Sequence, residues 1–119
     1  MARGRAAVRL TAGAEQDLAG IIRRRLAQRG PDGADGAEAL LARLVEAIEG
    51  LADFPARGPV PLELEALGIR EYRQLSLPPW RVIYLPSEDA TGPIVTVMIV
   101  ADGRRNFRTL LEERLLRVR

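Results

Sequence analysis

The sequence predicts an α+β fold: an N-terminal strand, an antiparallel helical hairpin packed on one face of a mainly antiparallel sheet of about four strands, and a short C-terminal helix. Apolar residues recur at helical spacing in the first half of the chain, and the period changes to two after residue 70. An almost wholly apolar, β-branched run follows at 94–100. At 119 residues the chain suits one domain, 1–119, with its own core.

The N-terminal segment predicts a short strand followed by a helix. Residues 5–10 form the strand, in which Val8 and Leu10 alternate with a polar side chain. Thr11 is a suitable N-cap, and the helix continues to about Arg29, where the segment 30–33 breaks it. The apolar stripe of this helix consists of Ala14, Leu18, Ile21, Ile22 and Leu26.

A second helix is predicted to follow at once. Asp35 with Glu38 three residues later resembles a capping box, and the helix runs to about Ala52. Two helices joined by a short turn form a hairpin whose shared apolar face needs a sheet to cover it. The apolar residues assigned to this face are Ala37, Leu40, Leu41, Leu44, Val45, Ile48 and Leu51.

The second half of the chain predicts the sheet. Segments 71–77 and 80–85 form neighbouring antiparallel strands, and the two prolines between them argue against a primed two-residue turn. Segment 86–93 is predicted to be a polar loop, and 94–100 a central strand buried on both faces. Segment 62–69 fits either a helical turn or an irregular loop. The sheet face opposite the hairpin is expected to stay partly open.

Composition excludes several kinds of chemistry. All 18 basic residues are arginine, and histidine and cysteine are absent. Disulfides, thiolate catalysis, a histidine-bound metal and proton transfer by imidazole or amine are therefore excluded, and no metal or cofactor is expected. No apolar run is long enough to span a membrane, and the first five residues lead into no signal region, so a cytoplasmic location is expected.

Arginines within or just after the predicted strands are the candidate binding residues. A guanidinium in a half-buried strand costs desolvation unless a negative group meets it. Arg73, Arg81, Arg104 and Arg105 on one sheet surface would suit a phosphate or an acidic partner, although pairing with carboxylates of the same chain is the structural alternative. The run 23–25 is interpreted as a solvated helix face and Trp80 as a core or edge aromatic.

The chain carries, in order, the motifs Val8-Arg9-Leu10-Thr11, Asp17-Leu18, Phe54-Pro55, Glu71-Tyr72-Arg73, Arg81-Val82-Ile83-Tyr84, Asp102-Gly103-Arg104-Arg105 and Arg114-Leu115-Leu116. In this order they resemble the RelE/ParE toxin family of bacterial type II toxin–antitoxin modules. The resemblance implies a growth-inhibiting toxin, as in plasmid stabilisation modules, neutralised by an antitoxin encoded in the same operon. An acidic antitoxin segment is expected on the sheet face opposite the hairpin and in the groove beside the hairpin.

The family divides by target: RelE-like members cleave mRNA in the ribosomal A site, and ParE-like members inhibit DNA gyrase. Arg81 and Arg105 fit the two arginine positions of RelE-like proteins, but lysine is absent and Leu111 stands where a C-terminal tyrosine is expected. Gyrase inhibition is therefore favoured, and whether the chain is an enzyme stays open. The alternatives are a ribosome-dependent endonuclease, with Arg81, Arg105 and Tyr84 as catalytic residues, and a degenerate toxin that only binds antitoxin.

If gyrase is the target, the binding surface is expected to include the C-terminal helix beside the strand arginines. The residues assigned to target binding are Arg73, Arg81, Arg104, Arg105 and Phe107.

Overall fold

A four-stranded sheet forms the centre of the fold, with the strands in the order β1–β4–β3–β2. The computed structural model describes residues 5–104 and 106–116. The strands are β1 (Ala7–Leu10), β2 (Arg73–Leu77), β3 (Trp80–Asp89) and β4 (Gly92–Asp102). β4 pairs in parallel with β1 and antiparallel with β3, which pairs antiparallel with β2. The prediction of a mainly antiparallel sheet with a buried central strand is confirmed.

The helices lie on both faces of this sheet. They are α1 (Ala12–Arg29), α2 (Ala37–Glu49), α3 (Leu62–Glu65) and α4 (Phe107–Leu111). A 3₁₀ turn, Gly50–Ala52, extends α2, and a π-helical segment, Glu112–Leu116, extends α4. Among the residues described, no helix combines the length and the apolar character needed to cross a bilayer.

The N-cap predicted for α1 is confirmed, and the N-cap predicted for α2 is wrong. Thr11 Oγ1 accepts a hydrogen bond from the Ala14 N–H at 3.0 Å, so Thr11 caps α1 as predicted. Gly36 precedes α2 and no side chain caps that helix, so the predicted capping box of Asp35 and Glu38 is wrong. Asp35 lies one residue too early for its carboxylate to cap the first turn, and its backbone carbonyl instead accepts a hydrogen bond from Arg25.

Thr11→Ala should lower the free energy of unfolding by about 1 kcal/mol, because the Ala14 N–H loses its partner at the helix start. Urea denaturation measures the change. Asp35→Ala is the matched control, since Asp35 is exposed and caps no helix, and its effect should stay below about 0.5 kcal/mol. Equal losses from the two substitutions would contradict the assignment of Thr11 as the cap.

The hairpin of α1 and α2 covers one face of the sheet. Its buried contacts involve Ala14, Ile21, Leu40, Leu44, Ile48, Val82, Tyr84, Val95, Val97 and Val100. Leu41 and Val45, predicted to face this core, are 41% and 37% exposed. They lie beside the stripe of Leu40, Leu44 and Ile48 that contacts the sheet and turn away from it, so the apolar face of α2 is wider than its buried face.

The opposite face of the sheet is covered by α3 and α4, so the expectation that it stays partly open is wrong where these helices lie. After Gly103 the chain folds back across the sheet, and the apolar side chains of α4 need the same kind of cover as the hairpin. This second cluster contains Leu64, Ile83, Ile99, Ala101, Phe107, Leu110 and Leu111.

The strands β3 and β4 extend into the segment predicted to be a loop. Asp89 Oδ1 accepts hydrogen bonds from the backbone N–H of Thr91 at 2.8 Å and from its hydroxyl at 2.7 Å, and Gly92 has φ +130°. This local geometry closes the turn within two residues, so the flanking polar residues remain in the strands. Between β2 and β3, Pro78 and Pro79 form the whole connection through a cis peptide bond, with no positive φ that a primed turn would need.

Candidate target-binding site

Arg81, near the start of β3, points to the sheet face that α3 and α4 cover. Its guanidinium makes a two-pronged ion pair with Glu63 of α3, with Nη1–Oε2 and Nη2–Oε1 distances of 2.8 Å. Its Nε donates to Gln74 Oε1 on β2 at 3.0 Å. The guanidinium carbon lies 3.8 Å from the centre of the Phe107 ring. Arg81 is therefore held from three directions, and its side chain is 16% exposed.

Glu63 occupies the edge of Arg81 that a phosphate or a partner's carboxylate would use. The hydrogen bonds from Arg81 lower the pKa of Glu63, against the opposing effect of burial, so the carboxylate is charged at neutral pH. Gly103 leaves room for the stem of Arg81, because a Cβ there would lie 2.6 Å from Arg81 Cδ. The arginine is thus neutralised and enclosed by the chain itself.

Arg73 and Tyr84 face each other on β2 and β3, on the side that the hairpin covers. The hydroxyl of Tyr84 accepts a hydrogen bond from the Gly58 N–H at 2.9 Å, and burial raises the pKa of Tyr84. Arg73 Nη1 donates to the Gly58 carbonyl at 3.4 Å. Arg73 and Arg81 therefore lie on opposite faces of the sheet, and the single arginine surface expected from the sequence does not form.

The remaining predicted residues lie near the end of β4. Arg104 is exposed and pairs with Asp102, with an Nη2–Oδ2 distance of 2.6 Å. Phe107 is 3% exposed and lies beneath Arg81. Arg105 lies outside the described residues. Leu111, at the position where a tyrosine was expected, is buried in the same cluster as Phe107.

A second two-pronged ion pair was not predicted. Arg114 Nη1 and Nη2 lie 3.1 and 3.0 Å from Asp17 Oδ1 and Oδ2. Asp17 Oδ2 also accepts the Val100 N–H at 2.9 Å, and Arg114 Nη2 donates to the Met98 carbonyl at 2.9 Å. The β3–β4 register shifts between Ile83 and Tyr84, where Met98 is the extra residue of β4. Asp17 and Arg114 both belong to motifs of the family resemblance, but no pattern in the sequence indicates that they form a pair.

A groove of about 430 Å³ lies beside the hairpin, between the end of α2 and β2. Phe54, which lines it, is 56% exposed, and the Arg57 guanidinium carbon lies 5.4 Å from the centre of its ring. The exposed Leu41 and Val45 lie one turn apart on α2. Apolar surface bordered by a cation suits an amphipathic, acidic partner segment.

The candidate residues offer positive charge and little proton-transfer chemistry. Arginine stays protonated at any physiological pH, and the one tyrosine among these residues has a buried hydroxyl that is already hydrogen bonded. In the part of the chain that the structure describes, no three acidic side chains come together to hold a metal ion. These residues are therefore suited to binding a negatively charged partner.

Comparison with known proteins identifies the relatives of this fold. A family model described as the ParE toxin of the type II toxin–antitoxin system, parDE, matches residues 8–107. No curated protein sequence matches significantly. The structure of the chromosomal ParDE system from P. aeruginosa is similar, with a TM-score of 0.63 and 17% identity over 82% of this chain and 96% of that chain. The RelBE2 toxin–antitoxin complex from Mycobacterium tuberculosis is also similar, with a TM-score of 0.54 and 22% identity over 83% and 92%.

Proposed function

The chain belongs to the ParE toxin family of type II toxin–antitoxin systems, and from that premise we propose that it is a toxin that inhibits DNA gyrase in the cytoplasm. The observation that supports this target is the state of the residues that an mRNA endonuclease would use. Arg81 is occupied by Glu63, and the hydroxyl of Tyr84 is buried on the opposite face of the sheet. These two side chains do not share a site.

Cleavage of mRNA through its 2′-hydroxyl needs a group that accepts a proton and a group that donates one. The chain has no lysine or histidine, and Leu111 is buried at the position where a tyrosine would act. Inhibition of gyrase needs no proton transfer by the toxin, because a bound protein can block the enzyme by contact alone. The chemistry available therefore favours gyrase over the ribosome.

A cognate antitoxin encoded in the same operon is the second part of the proposal. The groove beside the hairpin supports this, since Phe54 exposes apolar area there and Arg57 adds a positive charge. Leu41 and Val45 expose further apolar area on α2, outside the lining of the groove. An acidic, amphipathic segment that folds on binding matches this surface. Two solved structures similar to this chain were determined as a ParDE system and a RelBE2 toxin–antitoxin complex.

Two assays with purified protein test the target. The protein should abolish supercoiling of relaxed plasmid by DNA gyrase, and it should give no codon-phased cleavage of translated mRNA in primer extension. Arg104→Glu should weaken gyrase inhibition several-fold, and the loss should grow at low salt, where the attraction between exposed charges is less screened. Arg43→Glu on α2 makes the same charge change at an exposed position and serves as the control.

Codon-phased cleavage that disappears in Tyr84→Phe would overturn the choice of gyrase and favour the endonuclease. Normal growth on strong expression of the chain without antitoxin, with neither activity in vitro, would instead indicate a degenerate toxin that only binds antitoxin. Equal effects of Arg104→Glu and Arg43→Glu would remove Arg104 from the target-binding surface.

A further inference from the structure

The guanidinium groups of Arg23 and Arg24 come together above Gly20 on α1. A Cβ built on Gly20 would lie 3.4 Å from Nη1 of Arg24 and 3.9 Å from Nη2 of Arg23. Both side chains thus approach one point, which the absence of a side chain at Gly20 leaves open. Within residues 5–104 and 106–116, neither guanidinium forms an ion pair. Two like charges so close together favour the binding of an anion.

These two arginines line a cleft of about 800 Å³ between α1 and the ends of β3 and β4. Trp80, at the start of β3, lines the other side and is partly exposed. The cleft therefore places an aromatic surface opposite a pair of cations. Its volume is that of a small-molecule site.

The other charged groups of the cleft already have partners. Asp17 is paired with Arg114, and Asp102 with Arg104. Arg25 donates to the Asp35 carbonyl at 3.0 Å. Within the described residues, the cleft arginines without a carboxylate partner are therefore Arg23, Arg24 and Arg25, and of these Arg25 is already hydrogen bonded to a backbone carbonyl.

We propose that this cleft binds a nucleotide, with the phosphate on Arg23 and Arg24 and the base against Trp80. Guanidinium groups match the geometry of phosphate oxygens, and a base can stack on an indole without regard to its sequence. A carboxylate would satisfy the arginines but would leave the aromatic side of the cleft unused. The enclosed Arg81 does not line this cleft, whereas Arg104, a residue assigned to target binding, does.

Trp80 is the only tryptophan of the chain, so its fluorescence reports directly on the cleft. Full-length protein titrated with adenosine monophosphate should show saturable quenching, and inorganic phosphate should bind more weakly because it lacks the base. The ligand could be a free nucleotide or one nucleotide of a single-stranded nucleic acid, and titration with tetra-adenylate distinguishes the two. Tighter binding than the mononucleotide would indicate single-stranded nucleic acid, and equal binding would indicate a free nucleotide.

The double variant Arg23→Gln/Arg24→Gln should weaken nucleotide binding by about tenfold or more. Arg9→Gln/Arg43→Gln removes the same charge from exposed positions away from the cleft and should change the affinity by less than about twofold. Gly20→Leu keeps every charge but fills the space beneath the guanidinium groups, and it should also weaken binding. Thermal melts establish that each variant is folded.

Absence of saturable quenching with either nucleotide would overturn the proposal. Equal weakening by the two double variants would also overturn it, since only the net charge would then matter. If Arg23→Gln/Arg24→Gln fails to fold, unchanged binding by a folded Gly20→Leu variant would overturn the proposal in the same way.

Discussion

Arg81→Ala should lower the free energy of unfolding by about 2 kcal/mol, in addition to any effect on target binding. The substitution leaves the carboxylate of Glu63 without its cation at a position only 26% exposed. It also removes the guanidinium that lies over the ring of Phe107. Solvent still reaches Glu63, so the loss should be smaller than for a fully buried ion pair.

A double-mutant cycle with Arg81→Met and Glu63→Gln separates the ion pair from the packing of the arginine stem. Urea denaturation should give a coupling energy of about 1 kcal/mol or more between the two positions. A growth assay on the same variants shows whether toxicity follows stability. An Arg81→Ala variant that is as stable as wild type but not toxic would instead support the direct binding role inferred from the sequence.

The same ion pair should make stability depend on pH. Because the pKa of Glu63 is lower in the folded than in the unfolded protein, the pair stabilises the fold at neutral pH. This contribution is complete above the ordinary glutamate pKa of about 4.3 and is lost as the pH falls through the lower, folded value. The stability difference between wild type and Glu63→Gln should therefore shrink in strong acid. A difference that is constant with pH would contradict a charged Glu63.

Removing either side of the Asp17–Arg114 pair should destabilise the fold by about 2 kcal/mol. Asp17→Asn keeps the shape of the side chain but loses the charge that Arg114 contacts through both of its terminal nitrogens. Arg114→Met removes the donor to the Met98 carbonyl. The two side chains are 19% and 27% exposed, so water compensates only partly.

Arg108 and Glu112 are the matched control, because they also form an arginine–carboxylate pair in the C-terminal helical region. Their side chains are 69% and 47% exposed, and the nearest atoms are 3.4 Å apart. Arg108→Met should cost less than about 0.5 kcal/mol in urea denaturation. If Arg114→Met costs no more than Arg108→Met, the Asp17–Arg114 pair has no special structural role.

The two long helices and the presence of the strands were predictable because their signals are local. Apolar spacing marks α1 and α2, and the β-branched run marks β4. Polarity did not predict how far β3 and β4 extend toward each other. The hydrogen bonds of Asp89 to Thr91 close a short turn, so the polar residues beside it stay within the strands. Polarity shows that a segment faces water, but it does not show whether the segment is paired.

The sheet face to which Arg81 points depends on the register between β2 and β3. Alternation of polar and apolar residues within one strand does not reveal that register. A two-residue connection pairs Arg73 with Tyr84 and Ser76 with Arg81, so odd-numbered residues of β2 share a face with even-numbered residues of β3. Arg73 and Arg81 are therefore separated by the sheet. The ion-pair partners were also beyond prediction, because Glu63 lies on a segment that fitted two structures and Arg114 is 97 residues from Asp17.

The parallel pairing of β1 with β4 has a consequence for the order in which the newly synthesised chain folds. β1 has β4 as its neighbour in the sheet, yet the whole hairpin and two other strands are translated between them. Until residues 94–97 emerge, β1 lacks this partner, and the apolar face of the hairpin lacks the centre of the sheet that covers it. Contacts between such distant segments make folding slow. The core therefore closes only after β4 has emerged, and the apolar face of the hairpin stays exposed from the completion of α2 until then.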